Sequence, residues 1–163
     1  MEELTHLDEA GRVRMVDVSD KPVSRRTAVA EGYIQMERST LRAIESGEVE
    51  KGEALAVARL AAIGAAKRAS DWIPLCHPIP LDRIDVEIEA QPELPGLRMV
   101  VRASAEWRTG VEMEALTGVA GGLLAVYDMC KASDRGMQIR SIRLLEKSGG
   151  ASGDWRASPS PGA

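Results

Sequence analysis

The run Ile84-Asp85-Val86-Glu87-Ile88-Glu89-Ala90, then the turn Gln91-Pro92-Glu93-Leu94-Pro95-Gly96, then Leu97-Arg98-Met99-Val100-Val101-Arg102-Ala103-Ser104-Ala105-Glu106-Trp107, decides the fold. In the first run apolar and acidic residues alternate strictly, which gives one apolar and one charged face, the pattern of a half-buried strand. The second run alternates in the same way apart from Val100. Two such runs joined by a short Pro/Gly turn predict an antiparallel hairpin.

Downstream of the hairpin, Thr109-Gly110 precedes the longest predicted helix, Val111 to Ala132, with an apolar stripe Leu116, Ala120, Leu123, Tyr127 and Cys130. Gly118, Gly121 and Gly122 lie inside it. They fit either a tight helix contact or the close approach of a ligand. Ile142 to Lys147 reads as a last strand, followed by the Gly/Ser run Ser148 to Gly153. Upstream, Trp72 to Pro80 holds Pro74, Pro78 and Pro80, which forbids a helix interior or a central strand and predicts a rigid apolar loop. Before it, Leu55, Ala58, Ala62 and Ala65 recur at helical spacing in a helix closed by Ser70-Asp71. Arg26 to Met36 reads as a strand, Arg14 to Ser19 as a short strand, and Ser39-Thr40 as the N-cap of a short helix ending at Gly47. Hairpins with amphipathic helices between them favour an α+β two-layer domain, a mainly antiparallel sheet with helices packed on one face. The expected organisation is a flexible segment at 1–13, a single catalytic domain over 14–156 and a disordered tail at 157–163.

Composition narrows the function. Of 163 residues, 44 % are apolar and 28 % charged, which excludes general disorder. Aromatics make up 3 % with no Phe, so the core must use Ala, Val, Leu, Ile and Met, and burial against further copies of the chain is expected. The net charge of −4 and pI of 5.3 argue against a dedicated nucleic-acid binder but leave room for a local basic pocket. Apolar runs are too short for a membrane span. The acidic Met1-Glu2-Glu3 start predicts no secretory signal and a cytoplasmic protein. No dinucleotide or P-loop glycine pattern is present.

Several residues could carry chemistry. Asp128 and Lys131 are three apart on one helix face, either a surface ion pair or an acid/base pair. Seven-residue steps back from Asp128 reach Gly121 and Glu114, which suggests one stripe. Glu112 and Glu114 suit the positive end of the helix, and one of them could point inward. His77 is fixed by its prolines, either to serve binding or as a core-facing ring that hydrogen-bonds backbone. Lys51, before a helix, and Lys147, before the Gly/Ser run, could hold a phosphate or be solvated. A metal site on Cys76, His77 and Cys130 does not have ligand spacings expected for zinc.

Taken in order, Met15-Val16-Asp17-Val18-Ser19, Leu75-Cys76-His77-Pro78, Gly110-Val111-Glu112-Met113-Glu114-Ala115-Leu116, Asp128-Met129-Cys130-Lys131-Ala132 and Lys147-Ser148-Gly149-Gly150 resemble the cyclic pyranopterin monophosphate synthase family of molybdenum cofactor biosynthesis. The resemblance implies a ferredoxin-like domain and a lyase. Its substrate would be (8S)-3′,8-cyclo-7,8-dihydroguanosine 5′-triphosphate, made from GTP by a radical S-adenosylmethionine enzyme. Its products would be cyclic pyranopterin monophosphate and diphosphate. It also implies Asp128 and Lys131 as catalytic residues. Leu75, Cys76, His77, Glu112, Met113, Glu114, Lys51 and Lys147 would contact substrate. It implies a homohexamer, a trimer of dimers, with sites near subunit boundaries, no metal ligands and no required cofactor; Mg²⁺ could accompany the triphosphate without being essential. Two departures from the family pattern are Arg108 and Ala151, each where the family usually has lysine.

Overall fold

The computed structural model describes residues 10–158. Along the chain run β1 (Ser24–Gln35), α1 (Arg38–Ser46), α2 (Ala54–Ala66), α3 (Ala69–Trp72), β2 (Arg83–Gln91), β3 (Gly96–Trp107), α4 (Glu112–Cys130), β4 (Gln138–Ser148) and β5 (Trp155–Arg156). The strands form one sheet in the order β2-β3-β1-β4-β5, with every neighbouring pair antiparallel. A strand, helices, a hairpin, a helix and a returning strand inserted beside β1 make the split β-α-β arrangement of ferredoxin-like domains.

The hairpin pairs Ile84 with Ala103, Val86 with Val101, Ile88 with Met99 and Ala90 with Leu97, so both apolar sets face the same side. The helices cover that side. Helix α4 lies across β1, β3 and β4, and α2 packs against α4 and over β2. Ile34, Leu97, Met99, Val101, Val119, Leu123 and Val126 fill the space between sheet and helices. With so few aromatics the layers must come close. At Gly121 a Cβ would collide with the Ala65 methyl, and at Gly118 it would meet Val101 Cγ1 at 3.0 Å and the Ala62 carbonyl at 3.2 Å. The interior glycines of α4 thus serve helix packing, not a ligand. A Gly121→Val substitution should push α2 off α4 and lower stability by about 1–3 kcal/mol, read as a lower urea midpoint.

Several local expectations are corrected. Residues 14–19 form no strand; Asp17 instead turns the chain by accepting hydrogen bonds from Ser19 N (2.9 Å) and Ser19 Oγ (2.6 Å). Helix α1 is capped at Glu37, not Ser39-Thr40; the Thr40 hydroxyl donates to Asp134 Oδ2 at 3.2 Å, a residue far along the chain. The second helix stops at Ala66, and Ser70-Asp71 belong to the separate turn α3. The buried stripe of α4 is Ala115, Val119, Leu123 and Val126; Leu116, Ala120 and Tyr127 flank it half-buried. Strand β4 starts at Gln138, earlier than the alternation suggests, because register shifts at Val29/Ala30 and Glu31/Tyr33 interrupt its pattern. The brief β5 has too few residues to show periodicity. The predicted flexible start lies outside the described residues over 1–9, and the tail does so over 159–163.

Candidate active site

Helix α4 organises two groups of functional side chains, one at each end. At its N-terminal end, hollows of 650 Å³ and 510 Å³ share Lys21, Thr109, Gly110 and Glu112 and form one cleft. Leu75, Cys76, His77 and Met113 line one part. Arg26, Arg108, Lys147 and the Ser148–Ser152 turn line the other. The proline-rich loop brings His77 to the rim between Pro78 and the chain around Val16 and Val18.

Each wall has a local cause. Gly110 lacks a Cβ that would strike the Glu112 carboxylate, so that carboxylate folds back over the helix start. Lys147 Nζ lies 3.8 Å from Glu112 Oε1 and also donates to Ser152 Oγ. Gly149 and Gly150 have φ of 89° and 84°, which an L side chain rarely adopts. A Cβ at Gly150 would occupy the place of the Arg26 guanidinium. Arg26 is 8 % exposed and, among the described residues, donates to main-chain carbonyls, from Nε to Trp107 O (3.2 Å) and from Nη2 to Arg108 O (3.4 Å). Arg108 stacks on Trp107, its guanidinium carbon 5.9 Å from the ring centre. This cleft therefore gathers four cationic side chains in an acidic protein, with Glu112 as the facing carboxylate.

Cys76 and Glu114 meet under the cleft. Cys76 Sγ donates toward Glu114 Oε1 at 3.7 Å. Burial pushes the Cys76 thiol up to about 11, helped by the charges of Glu114 and Glu112, so the protonated thiol is favoured at neutral pH. Burial also raises the Glu114 carboxyl to about 7, against opposing hydrogen bonds from its backbone and Cys76. Cys130 ends the same helix, about 24 Å along its axis from Glu114, so Cys76 and Cys130 cannot share a metal ion.

The second group sits at the other end of α4. Lys131 Nζ lies 2.7 Å from Asp128 Oδ1, and Lys51 Nζ lies 3.2 Å from Asp128 Oδ2 and 2.9 Å from Asp128 O. Hydrogen bonds from Lys131 and then Lys51, together with their charges, hold the Asp128 carboxyl below its ordinary range. The trio is open to solvent, with Asp128 58 % exposed. Lys51 is thus a partner of Asp128 rather than a residue of the basic cleft. Glu114 and Asp128 share a helix side but lie about 21 Å apart. The single stripe suggested by their spacing is in fact two separate groups.

A model of the MoaC family matches residues 15–150. The chain is 56 % identical over 159 residues to the cyclic pyranopterin monophosphate synthase of Methylobacterium sp. (strain 4-46), covering 98 % of this chain and 99 % of the relative. It is 55 % identical over the same length to the protein of that name from Methylobacterium nodulans (strain LMG 21967 / CNCM I-2342 / ORS 2060), with 98 % and 99 % covered. The chain belongs to the MoaC family. Membership carries the coarse assignment, a lyase of molybdenum cofactor biosynthesis. In this MoaC-family chain Arg108 and Ala151, the two departures, line the same hollow, so the loss of a cation at one stands beside the retention of one at the other.

Sequence reasoning missed Arg26 and Lys21. Arg26 carried a usable signal: alternation through Ala28, Ala30 and Ile34 puts it on the covered face of β1, where a charge needs a purpose. Lys21 carried none, because it stands in an irregular segment. Among the described residues, no helix is long and apolar enough to cross a membrane.

Proposed function

We propose that the protein converts (8S)-3′,8-cyclo-7,8-dihydroguanosine 5′-triphosphate to cyclic pyranopterin monophosphate and diphosphate, in a site completed by a second copy of the chain. The observation that carries this reading is the division of labour along α4. The cleft has cations for a triphosphate and a fixed imidazole, while the Lys51–Asp128–Lys131 trio has the proton-transfer groups. One chain holds them too far apart for one small substrate. The trio is solvent-open and continuous with exposed Leu124, one turn away on α4; exposed Leu60 and Val57 stand on the packed helix α2. Exposed apolar residues in the helix layer fit coverage by another copy, as in a homohexamer built as a trimer of dimers.

In this reading Arg26, Arg108, Lys147 and Lys21 hold the triphosphate and neutralise the departing diphosphate. Leu75, Cys76, His77 and Met113 flank the purine, and Glu112 accepts from a base or ribose donor. Asp128, ionised at neutral pH, takes a proton as the purine is opened and rebuilt, and the adjacent ammonium groups of Lys131 and Lys51 stabilise developing negative charge. A ribose oxygen closes the cyclic phosphate as the bond to diphosphate breaks, without net redox change. No step requires a bound cofactor, and Mg²⁺ is expected to be dispensable.

The test supplies the authentic cyclic GTP derivative anaerobically with EDTA and follows pterin and diphosphate. Matched amounts of both are expected, and none from Lys131→Ala. Binding of the compound by the folded wild-type chain without diphosphate release would leave a binding module in place of an enzyme. Mixing inactive Asp128→Asn and His77→Ala chains through mild unfolding should restore activity at about a quarter of the sites of a shared-site dimer. No recovery from mixed oligomers would place the whole site within one chain.

A further inference from the structure

Glu114 lies in the motif that resembles a substrate-contacting segment, but its side chain does not face the cleft. It is 2 % exposed, and the hollow beside it is lined by Glu112 and Met113 instead. Its Oε1 accepts from the Cys76 thiol at 3.7 Å, while its Oε2 is buried with no partner. The same thiol lies 3.7 Å from the carbonyl oxygen of His77. A half-satisfied buried carboxyl is costly and persists only where surrounding structure holds it.

Among the described residues, the loop it touches has few other hydrogen bonds. Ile73 N bonds to Ala69 O and Cys76 N to Ile73 O, and the next main-chain bond outside the strand ladders comes from Asp82 N to Ser104 O. Pro74, Pro78 and Pro80 remove further donors. Among the described residues, the side-chain hydrogen bonding of the loop is that of the Cys76 thiol, whose one proton has two acceptors at 3.7 Å, Glu114 Oε1 and the carbonyl oxygen of His77. Prolines stiffen the loop internally but do not dock it. Ile79 packs against the core, and the polar tie of the loop to α4 runs through Cys76 and Glu114.

We propose that Glu114 is a positioning residue: its buried carboxyl receives the Cys76 thiol and thereby holds the Ile73–Pro80 loop so that His77 faces the substrate cleft. The role of His77 rests on the function proposed above; the docking of the loop does not. The groups that face this carboxyl are Cys76 from the loop and Glu112 from its own helix, with Lys147 of β4 reaching Glu112. Among the described residues, no cation lies in salt-bridge reach of Oε1 to compete with the thiol.

The experiment has readouts that need no turnover. The chain has two histidines, so selective ring labelling gives one His77 signal with His6 as an internal reference. In Glu114→Ala, the His77 signal should shift or broaden and Cys76 should be alkylated at least several-fold faster. In Glu114→Gln, which keeps an acceptor, the His77 signal should match wild type. With the cyclic GTP derivative, Glu114→Ala should lose about 10–100-fold in kcat, the scale of a misplaced group, and Glu114→Gln should recover most of it. Cys76→Ala, which deletes the donor, should reproduce the His77 change of Glu114→Ala. It serves as the second arm if Glu114→Ala fails to fold. An unchanged His77 signal in folded Glu114→Ala or Cys76→Ala would overturn the proposal. So would a Glu114→Gln as inactive as Glu114→Ala with His77 in place, because the carboxyl would then act on substrate directly. If no variant and no wild type turns over, the spectra and alkylation rates still decide the docking role, and only the proposed function fails.

Discussion

Asp128→Asn is expected to lower turnover by about 10²–10⁴-fold, the range for losing a positioned acid/base, while leaving the melting temperature unchanged. Asparagine keeps an oxygen for the Lys131 and Lys51 ammonium groups, which stand 2.7 Å and 3.2 Å from the carboxylate oxygens. It removes the negative charge and the basicity. Because Asp128 is more than half exposed, the ion pairs contribute little to folding, as solvated pairs generally do. An i,i+3 pair that served only the helix would give the opposite result, full activity. The pH dependence has a defined sign. Asp128 is held below its ordinary value of 3.8, so its base form persists through the neutral and mildly acidic range. Removing Lys51, with Lys131 left in place, should move the acid limb of the rate profile upward toward that ordinary value. Rate profiles of wild type and Lys51→Ala, with thermal melts of both and of Asp128→Asn beside them, decide the matter.

The strands and long helices were legible because their periodicity is set by burial on one side. The hairpin from Arg83 to Trp107 and helix α4 follow the alternation and spacing closely. What failed was placement that depends on distant partners. Thr40 looks like a cap by its neighbours, but Asp134, which no local pattern links to it, takes its hydroxyl. Met15 to Ser19 has the residue types of a strand and lies outside the sheet, along the cleft rim. The site was half-legible for a similar reason. Helical spacing correctly puts Glu114 and Asp128 on one side, but angle carries no information about distance along the axis. That distance separates a buried carboxyl from an exposed one and a cleft from a trio. The resemblance supplied the residues, and the fold supplied their division into two groups.

Glu31→Ala should be the most destabilising substitution of a charged residue on the open face of the sheet. Glu31 is 3 % exposed at the centre of β1, pairing with Val100 on one side and Arg143 on the other. Its Oε2 lies 2.8 Å from Arg98 Nη2 and its Oε1 lies 2.8 Å from Arg143 Nη2, with the Tyr33 hydroxyl donating at 3.3 Å. Breaking a fully buried pair costs about 3–5 kcal/mol; here the two arginines keep roughly a third of their exposure, so about 2–3 kcal/mol is expected. That is a large part of a typical domain's stability. Burial alone would raise the Glu31 carboxyl, but the hydrogen bonds from Arg143 and Arg98 and their charges outweigh it and leave it below 4.5. The unfolded chain therefore takes up this proton first as pH falls. The contribution of Glu31 is complete above the ordinary glutamate range and is lost as pH drops through its lowered folded value. Urea melts of wild type and Glu31→Ala should thus differ most at neutral pH and converge in acid. A gap that stays constant with pH would mean that packing around Val29 and Val100, and not the ion pairs, holds this face together.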